Sequence, residues 1–271
     1  MNQSAPHRAR KRFGQNFLHD AGVINRIHRA IAPRDGQHLV EIGPGQGAIT
    51  EGLLASGARL DVVELDHDLH PILLAKFGHL PNFSLHKGDA LKFDFSSLAG
   101  EQKLRIVGNL PYNISTPLMF HLLKQSACVE DMHFMLQKEV VQRLAAGPGT
   151  SHYGRLGIMV QYHCHVEHLF DVGPGAFSPA PKVDSAIVRL VPHGELPYPA
   201  DDPGMLERVV REAFNQRRKT LRNTLKPLLD ADSIAAEGLD PTLRPEQVDL
   251  AGFVRLANRL ARQAKTDGGP A

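Results

Sequence analysis

One stretch limits the fold of this chain more than any other. His38-Leu39-Val40-Glu41-Ile42 reads as a buried strand, short and mostly apolar. Gly43-Pro44-Gly45-Gln46-Gly47 follows without a gap, and a helix is expected from Ala48 to about Ala55. A strand, a glycine-rich turn and a helix amino end make the first unit of a doubly wound α/β sheet that binds nucleotides. Gly43 and Gly45 let the backbone turn tightly and approach a ligand with no Cβ in the way. The fold class expected is therefore α/β, with a Rossmann-like, mostly parallel sheet.

The segments that follow continue the alternation. Arg59-Leu60-Asp61-Val62-Val63-Glu64 reads as a second strand, ending in an acid about 20 residues after the loop, where an acid can take ribose hydroxyls. Asp66 is expected to cap a helix from His67 to about Lys76. Phe83-Ser84-Leu85-His86-Lys87 reads as a third strand, closed by Gly88-Asp89-Ala90, and Leu104-Arg105-Ile106-Val107-Gly108 as a fourth. At the end of the fourth stands Asn109-Leu110-Pro111-Tyr112, before a helix from Ser115 to about Gln125.

Taken alone, Asn-Leu-Pro-Tyr is an ordinary turn sequence. Placed after Gly43, Glu64 and Asp89 along one edge of a sheet, it reads as an amide, a fixed turn and an aromatic ring that hold a flat, amine-bearing ring. A glycine-rich loop with a spaced acid also fits an NAD enzyme. The acid at the third strand end, within reach of an adenine amine, and the amide-proline-aromatic run favour S-adenosylmethionine, because a dehydrogenase has no need of such a pocket there.

Ahead of the sheet, Asp20 is expected to cap a helix through about Ala32, with Val23, Ile24, Ile27, Ala30 and Ile31 at helical spacing. Behind it, Met132-His133-Phe134-Met135-Leu136 reads as a strand and Lys138 to about Ala145 as a helix. Tyr153-Gly154-Arg155, after a glycine-rich loop, is expected to close over the site. Residues 159–168 read as a strand. Its alternation sets Cys164 opposite His163 and His165, which argues against a metal site there; no metal is expected. Phe177 stands on the proline-spaced run Phe177-Ser178-Pro179-Ala180-Pro181-Lys182-Val183, ahead of a strand Ala186 to Val191. It fits a core position and a base-stacking position equally well.

Beyond a proline-rich linker, residues 193–203, the pattern turns helical: Met205 to Phe214, Arg217 to Leu229, Ser233 to Glu237 and Glu246 to Ala261. The expected organisation is a basic tail over 1–11, a methyltransferase domain over 12–192, the linker, a small all-α domain over 204–262, and a frayed end over 263–271. Net charge is only +2, but its distribution is uneven. Arg8, Arg10, Lys11 and Arg12 stand without an acid, and Arg208, Arg211, Arg217, Arg218, Lys219, Arg222 and Lys226 face only Glu207 and Glu212. Basic charge gathered in two segments of a mildly acidic chain points to a polyanion. Arg217, Arg218, Lys219 and Arg222 are expected within one and a half helical turns as an RNA-binding group. Two cysteines with no CxxC spacing exclude a disulfide framework, and no stretch reaches membrane-spanning length.

Seven motifs occur together here in one order. They are Arg12-Phe13-Gly14-Gln15-Asn16-Phe17-Leu18, Glu41 to Gly47, Glu64-Leu65-Asp66, Gly88-Asp89-Ala90, Asn109 to Tyr112, Phe177 to Val183, and Phe214 with Arg217 to Asn223. In this the chain resembles the ribosomal RNA adenine dimethyltransferases, in particular the bacterial small-subunit members, from about Lys11 to about Leu260. The resemblance implies a class I fold that takes methyl groups from S-adenosylmethionine. It implies transfer to N6 of two adjacent adenines near the 3′ end of small-subunit RNA. It also implies a donor site lined by Asn16, Leu18, Gly43, Gly45, Glu64, Asp89, Ala90 and Asn109. The catalytic group expected is Asn109, Leu110, Pro111, Tyr112 and Phe177. The partner expected is an immature small-subunit particle, and a monomer in the cytoplasm is expected, with no membrane. Two other readings remain open at this point: a DNA adenine methyltransferase, and an assembly factor that is largely non-catalytic.

Overall fold

A computed structural model describes residues 16–111, 113–216 and 218–267. The chain divides into two units. The first ends at Val141 and resumes over His165–Pro192; the second comprises Gln142–Cys164 and His193–Ala271.

The first unit is built on a seven-stranded sheet. Its strands are β2 (His38–Ile42), β3 (Arg59–Glu64), β4 (Phe83–Lys87), β5 (Leu104–Asn109), β6 (Val129–Gln137), β7 (Cys164–Val172) and β9 (Ser185–Pro192), in the order β4-β3-β2-β5-β6-β9-β7. The pairs β3–β4, β2–β3, β2–β5 and β5–β6 are parallel, and β9 runs antiparallel to β6. Strand order reverses at β2, so β3 and β5 flank the strand that feeds the glycine-rich turn. This is the position at which an open α/β sheet leaves a crevice at its carboxyl edge. A separate two-stranded ribbon joins β1 (Phe17–Leu18) to β8 (Phe177–Ser178), with Phe17 opposite Ser178 and Leu18 opposite Phe177.

The first helix of this unit begins at a side-chain cap. Asp20 accepts from the backbone N–H of Val23 at 2.9 Å and starts α1 (Ala21–Ile31). Such a cap contributes about 1 kcal/mol. The apolar face of α1 buries Ile27 and Ile31 in a core shared with Leu39, Leu53, Leu60, Val62, Leu69 and Leu73. The remaining helices are α2 (Thr50–Ala55), α3 (Leu69–Phe77), α4 (Ser115–Leu123) and α5 (Lys138–Ala145), the last crossing the boundary between the units. Asp66 does not cap α3, whose first residue is Leu69. Asp66 instead accepts from the N–H of Asp68 at 3.2 Å in the turn ahead of the helix.

A buried cluster ties the amino ends of the strands to α1. Arg105 on β5 grips Asp131 on β6 with two bonds, Nε–Oδ1 at 2.9 Å and Nη2–Oδ2 at 3.0 Å. The same guanidinium donates to Gln37 Oε1 at 2.9 Å and to the Ile31 carbonyl at 2.7 Å. The four bonds of its planar fork thus reach three places: Asp131 on β6, Gln37 just ahead of β2 and the end of α1.

The second unit holds α6 (Arg155–His163), α7 (Pro203–Ala213), α8 (Leu221–Thr224), α9 (Ala231–Ala236) and α10 (Leu250–Asp267). Several expectations change here. The domain boundary expected over 12–192 is interrupted, because Gln142–Cys164 groups with the C-terminal helices. The expected strand over 159–168 is split: through His163 the chain is helical, and β7 starts at Cys164. Its positions Ile158, Met159, Val160 and Tyr162 are buried on a helix, where a short, mostly apolar segment fits as well as on a strand. His163 and His165 therefore do not share a strand face, so the alternation argument about Cys164 does not apply; no metal-holding group of three occurs among the described residues.

Tyr153 does not close over a cleft. It is buried, its hydroxyl donates to the Val248 carbonyl at 2.9 Å, and its ring meets Phe214 edge-on. Of the helix expected from Arg217 to Leu229, only the single turn of α8 is helical among the described residues. The last helix starts at Leu250 rather than Glu246, and Gln263 to Asp267 are helical rather than frayed. In the expected linker, the backbone N–H groups of Ala200 and Asp201 bond Tyr162 Oη and Asn258 Oδ1 at 3.2 and 2.8 Å. Residues 1–15, Tyr112, Arg217 and 268–271 lie outside the described residues, and with them the basic tail and the aromatic end of the Asn109 motif.

Candidate active site

The crevice at the carboxyl edge of the sheet is a cavity of about 360 Å³. Asn16, Leu18, Gly43, Gly45, Glu64, Asp89, Ala90, Asn109, Leu110, Pro111 and Phe177 all line it. These are the residues the sequence singles out for donor and acceptor, apart from Tyr112. The arrangement follows from topology. The ends of β2, β3, β4 and β5 are neighbours on one edge, and each delivers its terminal residues to the same side.

Each wall has a local cause. In the loop after β2, Gly43, Gly45 and Gly47 adopt φ of +64°, +58° and +87°. L-residues with a Cβ rarely take that region. A Cβ on Gly45 would also stand 3.2 Å from the Phe17 ring, which occupies the cavity rim. At the end of β5, Gly108 lies opposite Ile42, and a Cβ there would sit 2.7 Å from the Ile42 carbonyl oxygen. The glycine lets β5 run against β2 and brings Asn109 to the edge. Leu110 N–H then bonds the Met135 carbonyl at 3.2 Å, and Ile114 N–H bonds the Pro111 carbonyl at 3.2 Å before α4 begins. Pro111 has its φ set by its ring.

Polar atoms around the cavity are held in place. Glu64 is 6% exposed, and its Oε1 accepts from the N–H of Asp66 at 2.8 Å. Burial lifts its pKa, opposed by backbone N–H groups of Asp66, Gly45 and Leu65. Asp89 accepts from the N–H of Leu91 at 2.9 Å. Asn109 Nδ2 donates to the Asn16 carbonyl at 3.2 Å. Phe177 is 4% exposed, belongs to the core and also lines the cavity.

Glu41 was not singled out by sequence as a site residue. It lines the cavity, is 2% exposed, and has its pKa pushed up to about 7 by burial, against the Thr50 hydrogen bond and with help from the Glu64 charge. The signal was available: an acid in an otherwise apolar strand, one residue before a glycine loop.

The fold and the cavity define a Rossmann-like class I methyltransferase, an enzyme with S-adenosylmethionine as co-substrate. The chain matches the family model described as ribosomal RNA adenine dimethylase over residues 6–262. It is 74% identical over 262 residues to the ribosomal RNA small subunit methyltransferase A of Pseudomonas aeruginosa, covering 96% of this chain and 98% of that protein. It is 63% identical over 265 residues to the protein of the same name from Marinobacter nauticus, covering 98% and 96%. Among solved structures, a dimethyladenosine transferase from Plasmodium falciparum superposes with a TM-score of 0.79 at 24% identity, over 92% of this chain and 98% of that one. The 23S rRNA methyltransferase ErmE superposes with a TM-score of 0.72 at 25% identity, over 91% and 100%. The chain belongs to the ribosomal RNA adenine dimethylase family.

Proposed function

We propose that this enzyme transfers methyl groups from S-adenosylmethionine to N6 of two adjacent adenosines near the 3′ end of small-subunit ribosomal RNA. The observation that carries the reading is the shared cavity: Asn109, Leu110 and Pro111 line the same 360 Å³ space as Gly43, Glu64 and Asp89. Donor and acceptor groups thereby meet at one edge of one sheet.

The donor half is assigned to the ends of β2, β3 and β4. Glu64 takes the ribose hydroxyls, and Asp89 takes the amine of the donor's adenine. Asn16, Leu18, Gly43, Gly45 and Ala90 form the walls. The acceptor half is assigned to the end of β5. An adenine amine is planar because its lone pair is delocalised into the ring. The Asn109 side-chain oxygen and the Leu110 carbonyl accept its two hydrogens and direct the nitrogen at the methyl carbon. As the N–C bond forms, the C–S bond breaks and its electron pair returns to sulfur, leaving a neutral thioether. The amine nitrogen, now cationic, gives its proton to solvent. Orientation and fixed dipoles do the work, so no strong base is needed. Tyr112 and Phe177 stack on the two faces of the base, each contact contributing about 1–3 kcal/mol. Only an unpaired or flipped adenine can enter such a cavity.

The partner assigned is an immature small-subunit particle, met by the enzyme as a monomer in the cytoplasm. Arg217, Arg218, Lys219 and Arg222 are assigned to RNA phosphates. Arg218, Lys219 and Arg222 are exposed, which supports the assignment, although they are not on one continuous helix.

The test is Asn109→Ala in the full chain. Methyl transfer to small subunits from cells lacking this enzyme should fall by at least about a thousandfold, with donor affinity within about threefold of the parent. Near-normal turnover would sink the acceptor assignment. Mass mapping of methylated nucleosides in that RNA identifies the product and its position.

A further inference from the structure

The Asn109 amide has two ends, and only one can accept from an incoming amine. What fixes the amide is visible in the fold. Its Nδ2 lies 3.2 Å from the backbone carbonyl oxygen of Asn16. A carbonyl oxygen only accepts, so the amide atom facing it must be the nitrogen. Flipping the amide would set two oxygens against each other in a partly buried place, at the cost of an unsatisfied pair. The Asn16 carbonyl therefore turns Oδ1, the accepting end, away from itself.

That carbonyl is itself anchored. Asn16 leads directly into β1, which pairs with β8 through Phe17–Ser178 and Leu18–Phe177, and the N–H of His19 bonds the Ala176 carbonyl at 3.0 Å. From the other side, Asn109 is held in β5 by pairing with Met135. The small β1–β8 ribbon thus does more than bring Leu18 and Phe177 to the cavity wall.

We propose that the Asn16 main-chain carbonyl is a positioning group for the reaction: it locks the Asn109 amide with its oxygen toward the acceptor amine, so that residue 109 must donate and accept at once. This rests on the acceptor role assigned to Asn109 above. It adds the requirement for a donor at the second end of the side chain.

Asn109→Asp separates the two claims. A carboxylate is a stronger acceptor than an amide but has no hydrogen to give, and one of its oxygens would meet the Asn16 oxygen. A protonated carboxyl restores both functions, its O–H donating to Asn16 and its carbonyl accepting from the amine. In the full chain, with radiolabelled donor and unmethylated small subunits, the variant should be at least about tenfold slower than the parent near roughly pH 8. Normalised to the parent, it should recover several-fold as pH falls toward roughly 5.5. Normalisation removes the pH effects that the two proteins share. Donor affinity, measured at each pH, reports that the variant is folded.

A variant that matches the parent across this range shows that acceptance alone is enough and overturns the proposal while leaving the acceptor role intact. A variant with intact donor binding that is flat and slow at every pH overturns it too. Failure of the underlying reading looks different: Asn109→Ala itself then keeps near-normal turnover.

Discussion

Thr50, the first residue of α2, donates its hydroxyl to Glu41 Oε2 across 2.6 Å, spanning the glycine-rich turn that separates them. The bond ties the strand before the loop to the helix after it. It also leaves Glu41 in an awkward electrostatic position. The carboxyl is buried, and Glu64 stands on the neighbouring strand, so its pKa rises from 4.5 to about 7. One hydrogen bond from a hydroxyl does not offset that burial.

A pH dependence of stability follows. A carboxyl whose folded pKa lies above its unfolded value binds more protons in the folded state. Its contribution is therefore present below pH 4.5 and lost as pH rises to about 7. The loss is on the order of 3 kcal/mol. Urea denaturation of the donor-free protein should show this decline, and Glu41→Gln should flatten it and be the more stable protein above pH 7. Parallel curves for the two proteins would show that Glu41 does not carry the effect.

The Arg105–Asp131 pair predicts a larger loss. Asp131 is 2% exposed, and Arg105 is 6% exposed. Burial alone would raise the Asp131 pKa, but the Arg105 bonds hold it below the usual carboxylate value. His133 beside it is lowered to about 4 by burial and brings no charge at neutral pH. Asp131→Ala leaves the guanidinium buried without its carboxylate, and should destabilise by about 3–5 kcal/mol. A loss of less than about 1 kcal/mol by urea denaturation would show that Arg105 finds another partner. With a depressed pKa, the Asp131 contribution is present above pH 3.8 and disappears as pH falls through the lower folded value.

For RNA contact, the expectation concerns salt. Arg218, Lys219 and Arg222 are exposed, and Lys219 N–H bonds the Gln216 carbonyl in a turn just before α8. Replacing all three with Ser should weaken particle binding and reduce the slope of log affinity against log salt by about two. Donor affinity should not change. An identical slope would remove these residues from the phosphate contacts.

The parts of the site that were legible in sequence are those made by single strand ends. Gly43, Glu64, Asp89 and Asn109 each stand at or just beyond the end of a short strand, and all four line one cavity. The parts that were not legible depend on segments far apart in the chain. Nothing in the order of residues sets Asn16 beside Asn109, or marks Tyr153 as a partner for Val248. The basic run Arg217 to Lys226 departs from the helix expected of it for a tertiary reason. Its composition suits a helix, but the chain there bonds outward instead: the N–H groups of Leu221 and Arg222 reach the carbonyls of Leu243 and Pro241. Tertiary bonds of that kind override helix propensity, which is worth only tenths of a kcal/mol per residue.

The chain by itself determined a doubly wound sheet and the chemistry at its edge, because glycine turns, strand-closing acids and the Asn109 motif are local features with fixed spacing. The tertiary structure decided which of these atoms meet. It set the Asn109 amide against the Asn16 carbonyl, buried Glu41 beside Glu64, and moved Gln142–Cys164 into the second unit. Distance, burial and hydrogen-bond partner are properties of packed elements, and no residue carries them in its own identity.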